Sequence, residues 1–267
     1  MYRLFVLPGA HPSRSAILML EHKGVAFRCI ELIPGTHPFL ARLAGFGTGG
    51  QVREVDGKRP RNLQMADRLA TVPALAAGKE RISSNHEIAR FLEARHPDPP
   101  LFPADPEQRG AVEEAEHWAN TTLQMQTRRL LAVAAVRDPE GFARLTGDGR
   151  MGHVLFRQEW ARRVLVPRIL RSTFVAGLTA EPRLLEELPT LLDRVDELIA
   201  EGVIGGERPN VADFMVAPCL AIILYRPDVR PFLEGRPALE LVDRFLPEPG
   251  GAGDERLTGA VGAGRAT

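Results

Sequence analysis

The 267-residue sequence predicts an α/β plus all-α fold, and three observations carry that expectation. Strand-like and helix-like stretches alternate before residue 96, a proline-dense stretch follows, and only helical periodicity is legible after it. At about 150 residues per domain, the length suits two modest domains or one large one, and either can bury a core.

Tyr2 to Leu7 is a short apolar run stopped by Pro8-Gly9, which predicts a buried strand. Ser13 stands in N-cap position ahead of Ala16, Ile17 and Leu20, and Gly24 suits a left-handed C-cap, so a helix follows. Phe27 to Leu32 is rich in strand formers and completes a βαβ unit, whose crossover is right-handed. Between Gly45 and Leu69 periodicity is lost while Gly, Arg, Asp and Asn gather, so residues 51–70 are expected to be a mobile insertion. Thr71-Val72-Pro73-Ala74-Leu75 restores order, Gly78-Lys79 reads as a hairpin turn, and Ile88, Phe91 and Leu92 repeat at helical spacing up to Arg95.

Residues 1–95 thus form the expected α/β domain, and His96 to Pro106 carries five prolines in eleven residues, an extended and semi-rigid linker. Residues 107–247 read as an all-helical domain, with Leu184, Leu188, Leu191, Leu192, Val195 and Leu198 forming an apolar stripe. The Gly- and Ala-rich segment 248–267 buries too little to offset its ordering entropy and is expected to fray.

Equal numbers of basic and acidic residues, 34 of each, leave no field for general binding to nucleic acid or anionic membrane. Of the basic residues 31 are Arg, which reads as coding bias more than chemistry. Two cysteines far apart, Cys29 and Cys219, make neither a disulfide framework nor a zinc cluster. The run Phe214 to Leu224 is too short to span a bilayer, and no secretory leader is legible, so a cytoplasmic setting is expected.

Four segments, in this order and spacing, resemble the glutathione S-transferase superfamily over roughly residues 2 to 246. They are Leu20-Glu21-His22-Lys23-Gly24, Thr71-Val72-Pro73-Ala74-Leu75, Asn85-His86-Glu87-Ile88-Ala89-Arg90-Phe91-Leu92 and Asn210-Val211-Ala212-Asp213-Phe214. The resemblance implies a thioredoxin-like βαβ-ββα domain that binds a small thiol, followed by a larger helical bundle: the glutathione transferase fold. It further implies glutathione as co-substrate, or another low-molecular-weight thiol, no metal, and a two-fold homodimer.

Several residues take expected roles from that resemblance. The Val72-Pro73 bond would be cis, letting the Val72 main chain pair with a cysteinyl backbone as an added strand; an ordinary trans bond is the alternative. A Ser, Cys or Tyr before the first helix stabilises the thiolate in this superfamily. Ser13 is the candidate donor here, with a plain N-cap as its competing role, while the position most used by the Ser and Cys classes matches Ala10, which has no donor. His11 would donate when protonated or take up the thiol proton; a solvent-exposed loop histidine is the plainer reading. Tyr2 is discounted as a donor, and Cys29 reads as a core residue.

Where the superfamily has Glu-Ser to hold the γ-glutamyl group, this chain has Ser84-Asn85, which keeps donors for a carboxylate and lacks the charge for the amine. Trp118, Gln124, Arg128 and Arg129 would line a substrate cleft, or else Trp118 packs and the arginines are solvated. Asn210 and Asp213 read as a structural N-cap pair.

Three other motifs are set aside. Gly45 to Gly50 spells G-x-G-x-x-G without a preceding strand, His86-Glu87 lacks the second His of H-E-x-x-H, and Asn120-Thr121-Thr122 is a chance acceptor sequence. Two functions stay open. One is an enzyme of the detoxifying type that activates a small thiol for attack on an apolar electrophile. The other is a non-catalytic module that binds a ligand or partner chain.

Overall fold

The computed structural model describes residues 1–7, 9–48, 53–55, 57–148, 158–174 and 180–246. Four strands form the N-terminal sheet: β1 (Tyr2–Val6), β2 (Phe27–Glu31), β3 (Ala74–Ala77) and β4 (Glu80–Ser83), in spatial order β2-β1-β3-β4. β1 runs parallel to β2 with Leu4 opposite Cys29, and antiparallel to β3 with Leu4 opposite Leu75. The two-residue turn Gly78-Lys79 joins β3 to β4, and Gly78 supplies the positive φ of 62° that such a tight turn requires.

The period of two along each strand distributes side chains to two cores. Leu4, Val6 and Leu75 enter the large core, on the face covered by α1 (His11–His22) and α4 (Asn85–Arg95). Phe5, Ala74 and Ala76 point the other way and pack with Phe46, whose ring meets Phe5 edge to face, and with Ala41 of α2 (His37–Leu43). Strands buried on both faces read as continuous apolar runs, which is why β1 was visible in the sequence.

The segment expected to be a mobile insertion carries a helix, α3 (Arg61–Arg68), and a bridge between Val55 and Lys58. Leu63 and Ala66 of α3 are buried. Of the residues expected to fray, 248–267 lie outside the described residues, as do Gly49 and Gly50.

The linker is held in place. Glu93 Oε2 accepts from Lys23 Nζ at 2.6 Å and from the Leu101 N–H at 2.8 Å, and Phe102 lies between the guanidinium groups of Arg90 and Arg109, each 4.8 Å from the ring centre. Beyond it, α5 (Pro106–Trp118) runs through a π-turn at Ala119–Leu123 into α6 (Gln124–Arg137), followed by α7 (Pro139–Leu145), α8 (Val166–Phe174), α9 (Glu181–Ala200), α10 (Val211–Ile223) and α11 (Pro237–Phe245). Every residue of α10 is buried, because a helix apolar on all sides must be surrounded. It packs against α1, α5, α6 and α11, so one core joins the sheet domain to the helical one.

Asn210 Oδ1 accepts from the Ala212 N–H at 2.9 Å, and Asp213 Oδ2 accepts from the Asn210 N–H at 2.8 Å, closing a capping box at the start of α10. Burial pushes the Asp213 carboxyl up, against the pull of backbone N–H groups of Asn210 and Gly205. No described helix is long and apolar enough to cross a membrane.

Candidate functional site

Helix α1 begins one turn earlier than Ser13 would place it. Ala10 is the cap residue, His11 and Pro12 open the first turn, and Pro12 suits that turn because its missing N–H has no intrahelical acceptor to lose. Ser13 is therefore the third helical residue and not the N-cap. Its Oγ reaches back to accept the Leu7 N–H at 3.1 Å, and the side chain is buried. His11 is not solvent-exposed either: only 2% of it is accessible. Burial, and after it the charges of Arg128 and Arg14, holds its imidazole well below the ordinary histidine pKa, against an opposing hydrogen bond with Gln124.

The first turn of α1 borders a cavity of about 200 Å³ between the two domains. Ala10, His11 and Pro12 form one wall with Val72; α3 contributes Asn62, Leu63, Met65 and Ala66. The helical domain supplies Leu131, Phe142, Val166, Ile169, Leu170 and Phe174. Asn62 Nδ2 donates to Ser172 Oγ at 3.0 Å and to Thr173 Oγ1 at 3.1 Å, so α3 is fastened to α8 beside this space.

The electrostatics of the cavity are one-sided. Its charged and titratable wall residues are His11, His37, Arg53 and Arg128, with no Asp or Glu among the described ones. Burial, then Arg53 and Arg128, lowers His37 to about 4. Burial, then Arg53, lowers Arg128 to about 9, and its guanidinium lies 5.6 Å from the Phe174 ring centre. Arg53 Nε donates to Asp67 Oδ1 at 2.7 Å, and Asp67 also lies 3.6 Å from Arg59. The buried atoms His11 Nε2, His37 Nδ1 and Arg53 Nη2 have no hydrogen-bond partner among the described residues.

A second cavity of about 490 Å³ adjoins the first, with Arg53 on the wall of both. It is lined by Ser84, His86, Glu87, Glu116, His117 and Gln124 among others. Ser84 caps α4: its Oγ accepts the Glu87 N–H at 3.3 Å while its own backbone sits at φ 74°, a conformation L residues rarely adopt. Glu116 takes Arg90 Nη1 on both oxygens, at 2.9 and 2.8 Å, while burial pushes its carboxyl up.

The sequence-selected residues therefore separate. His11, Val72 and Arg128 meet at the first cavity, Ser84 and Gln124 at the second, and Ser13, Asn85 and Trp118 border neither. Asn85 is buried with its Oδ1 unpartnered, and Trp118 packs against the core. The Val72–Pro73 bond is cis, and burial pushes the Cys29 and Cys219 thiols up to about 12, which leaves both inert as thiolates. Sequence reasoning missed His37, Arg53 and α3; His37 at the first position of a short helix carried no local signal.

No family model matches the chain, and no curated protein matches it. Solved structures do. FzlA from C. crescentus is similar at 19% identity with a TM-score of 0.58, over 93% of this chain and 88% of that one. A glutathione S-transferase of Ceriporiopsis subvermispora, in complex with glutathione, is similar at 15% identity and TM-score 0.57, covering 95% and 99%. The β-etherase LigF from Sphingobium sp. strain SYK-6 is similar at 16% and 0.57, covering 91% and 95%. At these identities the shared property is architecture, and the differing names show that this architecture does not fix one reaction. The mixed four-stranded sheet, the cis Val72–Pro73 bond and the helical domain around α10 are, with these likenesses, those of the glutathione S-transferase fold.

Proposed function

We propose that the chain is a glutathione-transferase-like module that holds a small organic molecule in the cavity between its domains. One observation carries this reading: the Ser13 hydroxyl accepts from Leu7 and borders neither cavity. Lowering a thiol pKa from about 8.5 to about 6.5 needs roughly 2.7 kcal/mol. The positive end of α1 contributes up to about 1 kcal/mol, and neither Ala10 nor Ser13 brings a hydroxyl to the cavity wall. His11 is a weak base at neutral pH, because burial keeps it neutral. Helix α3, a wall of the cavity hydrogen-bonded to α8, further favours retention of a ligand over turnover.

Thiol transfer is the second reading, and Val72 favours it. Its main chain lies on the same wall as the first turn of α1, where a cysteinyl backbone could add as a strand and its sulfur face the helix end. Glutathione or another small thiol would then give up its proton to solvent water, and the thiolate would attack an apolar electrophile beside Leu131 and Leu170, expelling a leaving group as the carbon–sulfur bond forms. Ser84 would meet the γ-glutamyl end in the second cavity, and Asn85 would contribute only after turning outward. A cytoplasmic homodimer fits either reading.

Calorimetric titration with glutathione, a mycothiol-type thiol and small apolar molecules, beside a conjugation assay with 1-chloro-2,4-dinitrobenzene, separates them. The expected result is saturable uptake of an apolar molecule with no conjugation. Conjugation that disappears in Ser13→Ala would overturn the module reading and restore the enzyme.

A further inference from the structure

The charges around the first cavity specify more than its size does. Arg128 has no carboxylate partner among the described residues, only the Phe174 ring. Asp67, the carboxylate nearest to Arg53, is already shared with Arg59 and with the Arg53 N–H. Two guanidinium groups therefore line the same enclosure, Arg53 with Asp67 as its partner and Arg128 with no carboxylate among the described residues, and the Arg53 charge disfavours the charged form of Arg128. Arg128 is half-buried, and a partly desolvated cation without an anion is a costly arrangement, so the enclosure favours an anionic occupant.

Three buried nitrogens also await a polar ligand group: His11 Nε2, His37 Nδ1 and Arg53 Nη2 lack partners among the described residues, and His11 is 2% exposed. The opposite wall is hydrocarbon, made by Leu131, Phe142, Val166, Ile169 and Leu170. A cationic ligand is repelled, and a sugar or polyol would leave its hydroxyls against Leu and Ile side chains. A neutral apolar molecule leaves the Arg128 guanidinium uncompensated. An anion on a hydrocarbon body satisfies both walls.

We infer that the ligand of the interdomain cavity is a small apolar carboxylic acid, its carboxylate seated between Arg128 and Arg53 and its hydrocarbon body against α6, α7 and α8. This rests on the reading of the chain as a ligand-binding module and names the ligand class. A cavity of about 150 Å³ holds benzene, so the 200 Å³ here suits an acid of about ten non-hydrogen atoms, a short alkyl or aryl-alkyl carboxylate. Arg128 is the determinant, because its fork presents two parallel N–H groups to a carboxylate, whereas Arg53 already spends its Nε on Asp67.

The probes are octanoate, 1-octanol and octylammonium, titrated into the full chain at pH 7 by calorimetry, with Arg128→Met and Arg128→Lys alongside. Octanoate is expected to bind roughly tenfold tighter than octanol or better, and octylammonium not at all. In Arg128→Met the preference for octanoate over octanol should vanish while octanol affinity is kept, and Arg128→Lys should restore part of it. Should Arg128→Met fail to fold, the ranking of the three probes on the unaltered chain decides alone. Octanol or octylammonium binding as well as octanoate does would overturn the acid assignment and leave the module reading intact. Absence of binding by all three probes would overturn both.

Discussion

Ser13 Oγ accepts the Leu7 N–H at 3.1 Å, a link from the first helix back to the end of the first strand. The hydroxyl that would activate a thiol thus stabilises the strand-to-helix turn. Removing it leaves the partly buried Leu7 donor without an acceptor, which costs about 1–2 kcal/mol. Ser13→Ala should lower the unfolding free energy by that amount while octanoate affinity stays within twofold of the unaltered chain. An affinity loss of tenfold or more, at unchanged stability, would put Ser13 back in the site.

Arg14, next in the chain, is 1% exposed, and its one polar contact given by the geometry is Tyr225 Oη, 3.4 Å from Nη2; Nε and Nη1 have none. It lies outside both cavity walls, in the interface between α1 and α10. Among the described residues no carboxylate pairs with it. An unpaired buried cation replaced by an apolar chain of similar volume is expected to stabilise, so Arg14→Met should raise stability by about 1–3 kcal/mol. Chemical denaturation measures this directly, and a loss of more than about 1 kcal/mol would show that the charge has a counter-ion in the folded protein.

These two residues also show where sequence reasoning stopped. β1, the β3–β4 hairpin and the α9 stripe were legible because their patterns are local: apolar runs bounded by turn residues, or leucines at 3.6 spacing. Helix α3 was not, since it buries only Leu63 and Ala66 and the rest of it, Met65 apart, is polar, too thin a stripe to register. Ser13 was misplaced because Ser is a frequent N-cap, and the turn already opened by His11-Pro12 outweighed that preference. The basic wall of the cavity is built from α2, α6 and the loop before α3, and no local spacing links His37, Arg53 and Arg128.

Burial keeps His37 neutral, with a folded pKa of about 4 against about 6.5 when unfolded. Between those values the unfolded chain binds the proton more readily, so stability falls as pH drops from about 6.5 toward 4 and is unaffected above 7. The full effect amounts to about 3 kcal/mol. His37→Gln, which cannot titrate, should flatten that part of the stability-against-pH curve while leaving the neutral-pH unfolding free energy within about 1 kcal/mol. Asp213 and Glu116, both raised by burial, act in the opposite sense at lower pH, so the comparison of His37→Gln with the parent isolates the histidine. Curves that remain parallel down to pH 4.5 would mean that His37 is solvated in solution.

Ser84 holds φ at 74° and ψ at 153°, a conformation that costs a non-glycine residue about 1–3 kcal/mol. Its backbone N–H is anchored to the Pro73 carbonyl at 3.2 Å and its Oγ caps α4, so two bonds fix the strained geometry beside the second cavity. Glycine accepts this backbone freely and, as an N-cap, gives up only a few tenths of a kcal/mol relative to serine. Ser84→Gly should therefore raise stability by about 0.5–2 kcal/mol. Ser84→Ala keeps the strain and loses the cap, and should lower stability by about 1 kcal/mol. Octanoate affinity should be unchanged in both, because Ser84 lines only the second cavity. If either change instead weakens glutathione binding while leaving octanoate alone, the second cavity holds the γ-glutamyl end of a thiol, and the two cavities serve different ligands.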